Sequence, residues 1–147
     1  MKSNIPLLKD FSSHKVMCLD EKQAIEHFLG KTFDDAKKLF KKNDLYYADD
    51  LRWMEEKAFQ FYLPAFIEFI MSDDRNVSSD TLTSFLSLLR SKLEYELDAI
   101  KSCRSILIKS LEYCIHNYSK FDVDIEIYGD LKNEIFKILN IIREIHG

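Results

Sequence analysis

Glycine and proline together supply five of the 147 residues, three and two respectively, where an average soluble domain carries roughly 12 % of them. Tight turns, left-handed corners and phosphate-cradling loops depend on those residues. A chain this poor in them is badly suited to a sandwich, a barrel or a Gly-rich nucleotide loop, and well suited to helices joined by short polar turns. Apolar residues make up 46 % of the chain and charged residues 31 %, enough for one sizeable core in a single domain. The sequence predicts a mainly α, single-domain helical bundle over residues 1–147, with five to seven helices and at most one short strand pair.

Residues 1–18 show no period and read as an irregular lead-in. Asp20 with Gln23 predicts the start of a short helix over about 21–29 that stops before Gly30. Thr32 with Asp35 caps a second, in which Phe33, Ala36, Leu39 and Phe40 share a face, and Asn43-Asp44 ends it. Its acids come first and its lysines last, as the helix dipole favours. From Ala58 to Met71 apolar residues occupy nearly every face, which predicts a helix buried on most sides. Phe59, Tyr62, Leu63, Phe66 and Ile70 are its expected core residues. Pro64 lies inside it and is expected to kink it near Phe61–Leu63 or divide it in two.

Ser79 or Asp80 starts the next helical pattern, which meets no Gly or Pro before residue 120. Helices that long are uncommon in globular proteins, so a break is expected between Ser91 and Lys101. In the stretch FDVDIEIY, Phe121, Val123, Ile125 and Ile127 alternate with Asp122, Asp124, Glu126 and Tyr128. That is the period of a strand, for which Lys15–Leu19 is a weak internal partner. Gly129-Asp130 then opens a last helix whose buried stripe is Leu131, Ile135, Ile138, Leu139, Ile142 and Ile145.

The net charge is −4. It is unevenly spread: residues 1–50 are neutral, 51–80 carry −3, 81–120 carry +2 and 121–147 carry −3. A nucleic-acid binder needs a basic stripe, so no direct contact with nucleic acid is expected. Two acidic segments suit a basic partner instead. Cys18, Cys103 and Cys114 are odd in number, lack a C-x-x-C spacing, and sit in apolar stripes or runs. They read as small buried apolar residues in a reducing compartment. The opening MKSNIPLLKDFSS is broken by Pro6 and does not read as a signal peptide. No stretch reaches the ~18 apolar residues of a membrane span. No membrane contact is expected, and the expected address is cytoplasmic.

No catalytic set emerges. His14, His27, His116 and His146 do not stand at helical spacing from one another, and Cys114 and His116 fall on different faces of a helix, so neither metal nor cofactor is expected. Asp122, Asp124 and Glu126 approximate a calcium loop. The pattern fails at Ile127, where the turn needs Gly, and at Asn133, where a terminal Glu belongs. The acidic pairs Asp34/Asp35, Asp49/Asp50, Glu55/Glu56 and Asp73/Asp74 read as caps and helix starts. The chain is not expected to be an enzyme.

The stretch DDLRWMEEKAFQFYLPAFIEFIM resembles the signature of an uncharacterised family of small, mostly helical bacterial proteins. In that family an acidic-aromatic lead-in precedes a helix reading about A-F-x-[FY]-[YF]-L-P-A-[FYL]. Trp53, Ala58, Phe59, Phe61, Tyr62, Leu63, Pro64, Ala65 and Phe66 carry the likeness. The upstream AIEHFLGKTFDDA is similar to the family's opening, so the resemblance spans about half the chain. Residues 121–128 depart from it. The motif is structural and brings no catalytic residues with it. As a whole the chain resembles immunity proteins of contact-dependent growth inhibition and related polymorphic toxin systems. That resemblance implies a cognate toxin protein domain as partner, often a basic nuclease, neutralised by occlusion of its active site. The acidic segment bearing Asp122, Asp124 and Glu126 is the expected partner surface, one face anchored in the core and the other turned outward. The alternative is a non-enzymatic helical interaction module unrelated to toxin systems.

Overall fold

Capping chemistry sets where most of the helices begin. The computed structural model describes residues 4–146, and among these lie ten α-helices: α1 (Leu8–Phe11), α2 (Leu19–Phe28), α3 (Phe33–Lys42), α4 (Asp44–Leu51), α5 (Glu56–Ile70), α6 (Ser79–Tyr95), α7 (Leu97–Ser102), α8 (Arg104–His116), α9 (Ile125–Tyr128) and α10 (Leu131–Glu144). The fold class is the expected all-α single bundle. The number of helices exceeds the expected five to seven because Asp44–Leu51 (α4) and Ile125–Tyr128 (α9) are helical where no helix is expected, and because two more elements come from the start of the chain and from the long pattern. The irregular lead-in holds the single turn α1, which buries Phe11, and the long pattern from 80 to 120 is cut twice. The first cut falls at Glu96 (φ −145°, ψ 65°), inside the expected interval, and the second at Cys103. Among the described residues no helix is long and apolar enough to cross a membrane.

α5 is the centre of the packing. α1, α3, α4 and α7 lie against it, and Phe59, Tyr62, Leu63, Phe66 and Ile70 are fully buried, as the all-round apolar pattern requires. Pro64 does not divide this helix, which runs unbroken from Glu56 to Ile70. Its missing N–H would have bonded the Gln60 carbonyl. Gln60, half-buried Pro64 and exposed Glu68 follow at four-residue steps on the least covered face, where water can take up that carbonyl. Aromatic rings bind the neighbours to α5: Phe28 and Tyr62 lie 5.0 Å apart, Phe40 and Phe66 5.2 Å, and Phe66 and Phe85 6.0 Å. The Tyr62 hydroxyl donates to the carbonyls of Phe28 (2.9 Å) and Lys31 (2.7 Å). It thereby serves the turn where α2 ends, in which the Phe28 carbonyl also accepts the Lys31 N–H at 2.9 Å. A second, mostly aliphatic layer joins α8 to α10 through Leu107, Leu111, Ile135, Ile138, Leu139 and Ile142, all buried.

Two expectations are corrected. Among the described residues there is no strand, so the alternation at 121–128 does not pair with Lys15–Leu19. Tyr118–Phe121 forms a 3-10 turn, Asp122 adopts a left-handed conformation (φ 51°), and Asp124 caps α9 by accepting the Glu126 N–H at 2.9 Å. A lone strand leaves its backbone groups unpaired, whereas an aspartate followed by one helical turn satisfies several locally. The second correction concerns Cys18. It is exposed and stands at the N-cap of α2, in the place expected for Asp20. Cys103 and Cys114 are buried as expected, and burial pushes each thiol up to about 12, which keeps them protonated and inert.

Candidate functional site

The segment named from sequence is anchored at both ends and exposed between them. Phe121 is buried, and Val123 and Tyr128 pack half-buried against the core. The Tyr128 hydroxyl also donates to Asp80 at the start of α6. Asp122, Asp124 and Glu126 are all exposed. The expected division into an inner apolar and an outer acidic face does not occur. Ile125 and Ile127 are 69 % and 71 % exposed, so the turn presents two isoleucines set among three carboxylates.

A second feature is a cleft of about 970 Å³. Its walls are the loop after α1 with the start of α2 (Ser13, His14, Cys18, Glu21), the α4–α5 connection (Arg52, Trp53, Glu55, Glu56) and the α6–α7 junction (Ser91, Tyr95, Glu96, Leu97, Asp98, Ala99). Carboxylates dominate its charged groups. Beside it the Lys92 ammonium is buried. It donates to the Met54 carbonyl at 2.6 Å, pairs with Glu96 at 3.1 Å and lies 4.9 Å from the centre of the Phe59 ring. Burial holds the Lys92 pKa below the usual lysine range, against the pull of Glu96. A lysine here tethers the helix start to the α6–α7 break through hydrogen bonds, which is how a buried charge is tolerated.

At one end of the cleft three potential donors converge. His14 Nδ1 lies 2.8 Å from Glu21 Oε2. One donor atom each from His14, Glu21 and Glu55 fall within 4.8 Å of one another. Glu21 also accepts from the Ser12 hydroxyl (2.9 Å) and the Cys18 N–H (3.0 Å), and Glu55 Oε2 accepts from the Ser13 N–H and hydroxyl, both at 3.0 Å. Burial pushes the Glu21 pKa upward, but those hydrogen bonds and the His14 imidazole outweigh it and hold the carboxyl below its ordinary range. Glu21 is therefore an ionised, largely buried carboxylate in a cleft wall.

No spacing along the chain marks this grouping. His14 and Glu21 are seven residues apart across a loop and a helix start, and Glu55 joins them only because its N–H bonds the Phe11 carbonyl at 3.0 Å. A further histidine, His27, sits 2.6 Å from the buried Asp50 carboxylate and 3.4 Å from the Tyr46 hydroxyl. Burial raises the Asp50 pKa, with His27 opposing. This contact clasps α2 to α4. Comparison with protein-family models, with curated proteins and with solved structures gives no match.

Proposed function

We propose that the protein is a binding protein of the immunity kind, which captures a basic bacterial toxin domain in the cytoplasm and occludes its active site. The observation that supports it is the turn at 122–128, where Ile125 and Ile127 stand exposed beside the exposed Asp122, Asp124 and Glu126. Apolar side chains inside a charged rim are the usual plan of a protein interface. The isoleucines offer surface that gains by being covered, and the carboxylates steer a basic partner into register. The net charge of −3 over residues 121–147 gives the approach the same sign.

The test is kinetic. A toxin domain encoded beside this gene is immobilised and the on-rate and off-rate of the protein are measured. Replacing Asp122, Asp124 and Glu126 together by Lys should slow association by about tenfold or more, and the wild-type on-rate should fall with added salt. Circular dichroism first confirms that the variant is folded. An unchanged on-rate removes this surface from the proposal. Failure of the wild-type protein to protect cells from the toxin removes the immunity reading. Capture of a basic protein that is no toxin would favour the plain interaction module.

A further inference from the structure

We propose that His14, Glu21 and Glu55 form a three-ligand site for a divalent transition-metal ion, Zn²⁺ being the best chemical match, with its fourth position open to the cleft. One imidazole and two carboxylates are a donor set that zinc accepts. Calcium and magnesium prefer all-oxygen shells of six or more ligands, and the imidazole tilts the set toward the transition metals. Three protein ligands beside an open cavity leave room for a water or an incoming group.

Charge points the same way. The Glu21 side chain is only 10 % exposed. Among the described residues neither Glu21 nor Glu55 is within ion-pair distance of a lysine or arginine; the one ion-pair contact to either is the His14 imidazole on Glu21. Two carboxylates drawn together in a partly dehydrated wall repel each other unless a cation lies between them. The surrounding loop holds the carboxylates as metal ligands are generally held, by hydrogen bonds from outside. The Ser12 hydroxyl and the Cys18 N–H fix Glu21, and both bonds from Ser13 end on Oε2 of Glu55, so that Oε1 accepts no hydrogen bond among the described residues.

The geometry needs little adjustment. Ligands at about 2.0–2.1 Å from a tetrahedral zinc stand about 3.3 Å from one another. The candidate ligand atoms lie within 4.8 Å of one another; His14 Nδ1 and Glu21 Oε2, now hydrogen-bonded at 2.8 Å, must part to the tetrahedral spacing as the ion displaces the proton they share. The His14 side chain is 62 % exposed and sits on a loop, so a change of its rotamer can release the Glu21 hydrogen bond and turn a ring nitrogen to the ion.

The test uses the full chain, stripped with a chelator and titrated with ZnCl₂ by calorimetry, with MgCl₂ as the control. Saturable one-to-one binding of Zn²⁺ is expected, with no comparable binding of Mg²⁺. His14→Ala and Glu55→Gln should each weaken it by about tenfold or more. Both positions lie outside the core, and circular dichroism confirms the fold. Co²⁺ supplies a second readout: its visible absorption should take the intense tetrahedral form with the wild type and lose it in both variants. Absence of stoichiometric Zn²⁺ binding overturns the proposal, as does equal binding of Mg²⁺. Unchanged affinity in the two variants overturns it too, by assigning the ion elsewhere. The combined Asp122→Lys, Asp124→Lys and Glu126→Lys variant should leave Zn²⁺ binding intact, so the site and the partner surface fail or stand separately.

Discussion

Helix α5 and the turn at 122–128 use the same materials, branched aliphatics, aromatics and carboxylates, yet one lies at the centre of the molecule and the other outside it. In α5 nine of fifteen residues are buried, on nearly every side, and the helix has α1, α3, α4 and α7 to cover it. In α9 no residue is buried. The two patterns carry different information. A helix that is apolar all round has no tolerable place except the interior, whatever its neighbours turn out to be. An alternating pattern describes a surface that would suit a strand, and a strand also needs an adjoining edge to take its hydrogen bonds. Here the local alternative, an aspartate cap and one helical turn, satisfies the backbone without a partner.

The contrast should appear most sharply in stability. Phe66 is fully buried, with Phe40 and Phe85 packed on it, and Phe66→Ala should cost about 3–5 kcal/mol in urea unfolding. A loss below about 1 kcal/mol would mean that α5 is not the centre of the core. Tyr62→Phe is the next largest. It leaves the Lys31 carbonyl without its donor, while the Phe28 carbonyl keeps the Lys31 N–H, at a cost of about 1–2 kcal/mol. Its pH dependence sharpens the test. Burial pushes the Tyr62 hydroxyl from 10.0 up to about 12, so the folded protein keeps its proton when the unfolded chain has lost it. That contribution is complete below pH 10 and is lost as the pH rises through about 12. The advantage of Tyr62 over Phe should shrink across that interval, and a gap that stayed constant would show the hydroxyl to be solvated.

The same division governs how much of the molecule can be read from its sequence. Where a feature is settled within three or four residues, the chain states it. Thr32 and Asp35 exchange hydrogen bonds at 3.0 and 3.1 Å, as their spacing promised, and Asp130 caps α10 through the Asn133 N–H. Where several neighbours are equally able to cap, the start shifts. Ser78 takes the role expected of Ser79 or Asp80, and Cys18 stands where Asp20 was expected. Long-range choices are silent. Nothing near Asp50 or Lys92 marks either as buried, because His27 and Met54, which make that burial tolerable, lie 23 and 38 residues away. The exposure of Asp122, Asp124 and Glu126 was legible as charge. The exposure of Ile125 and Ile127 was not, since it follows from the lack of a strand to pair with.

The smallest expected effect concerns those two isoleucines. Changing both Ile125 and Ile127 to Ser should alter stability by no more than about 0.5 kcal/mol per site, the usual range for surface positions. Each is roughly 70 % exposed, so little apolar area leaves the core with them, and serine is no worse than isoleucine in a single turn already capped by Asp124. The double variant therefore separates packing from recognition. If the turn is a docking surface, partner dissociation should quicken while urea unfolding stays in place, because the covered apolar area lies in the complex and not in the fold. A stability loss above about 2 kcal/mol would show that the isoleucines are packed in solution. In that case the turn folds inward, its carboxylates form the outer face first expected of a strand, and the distinction from α5 disappears.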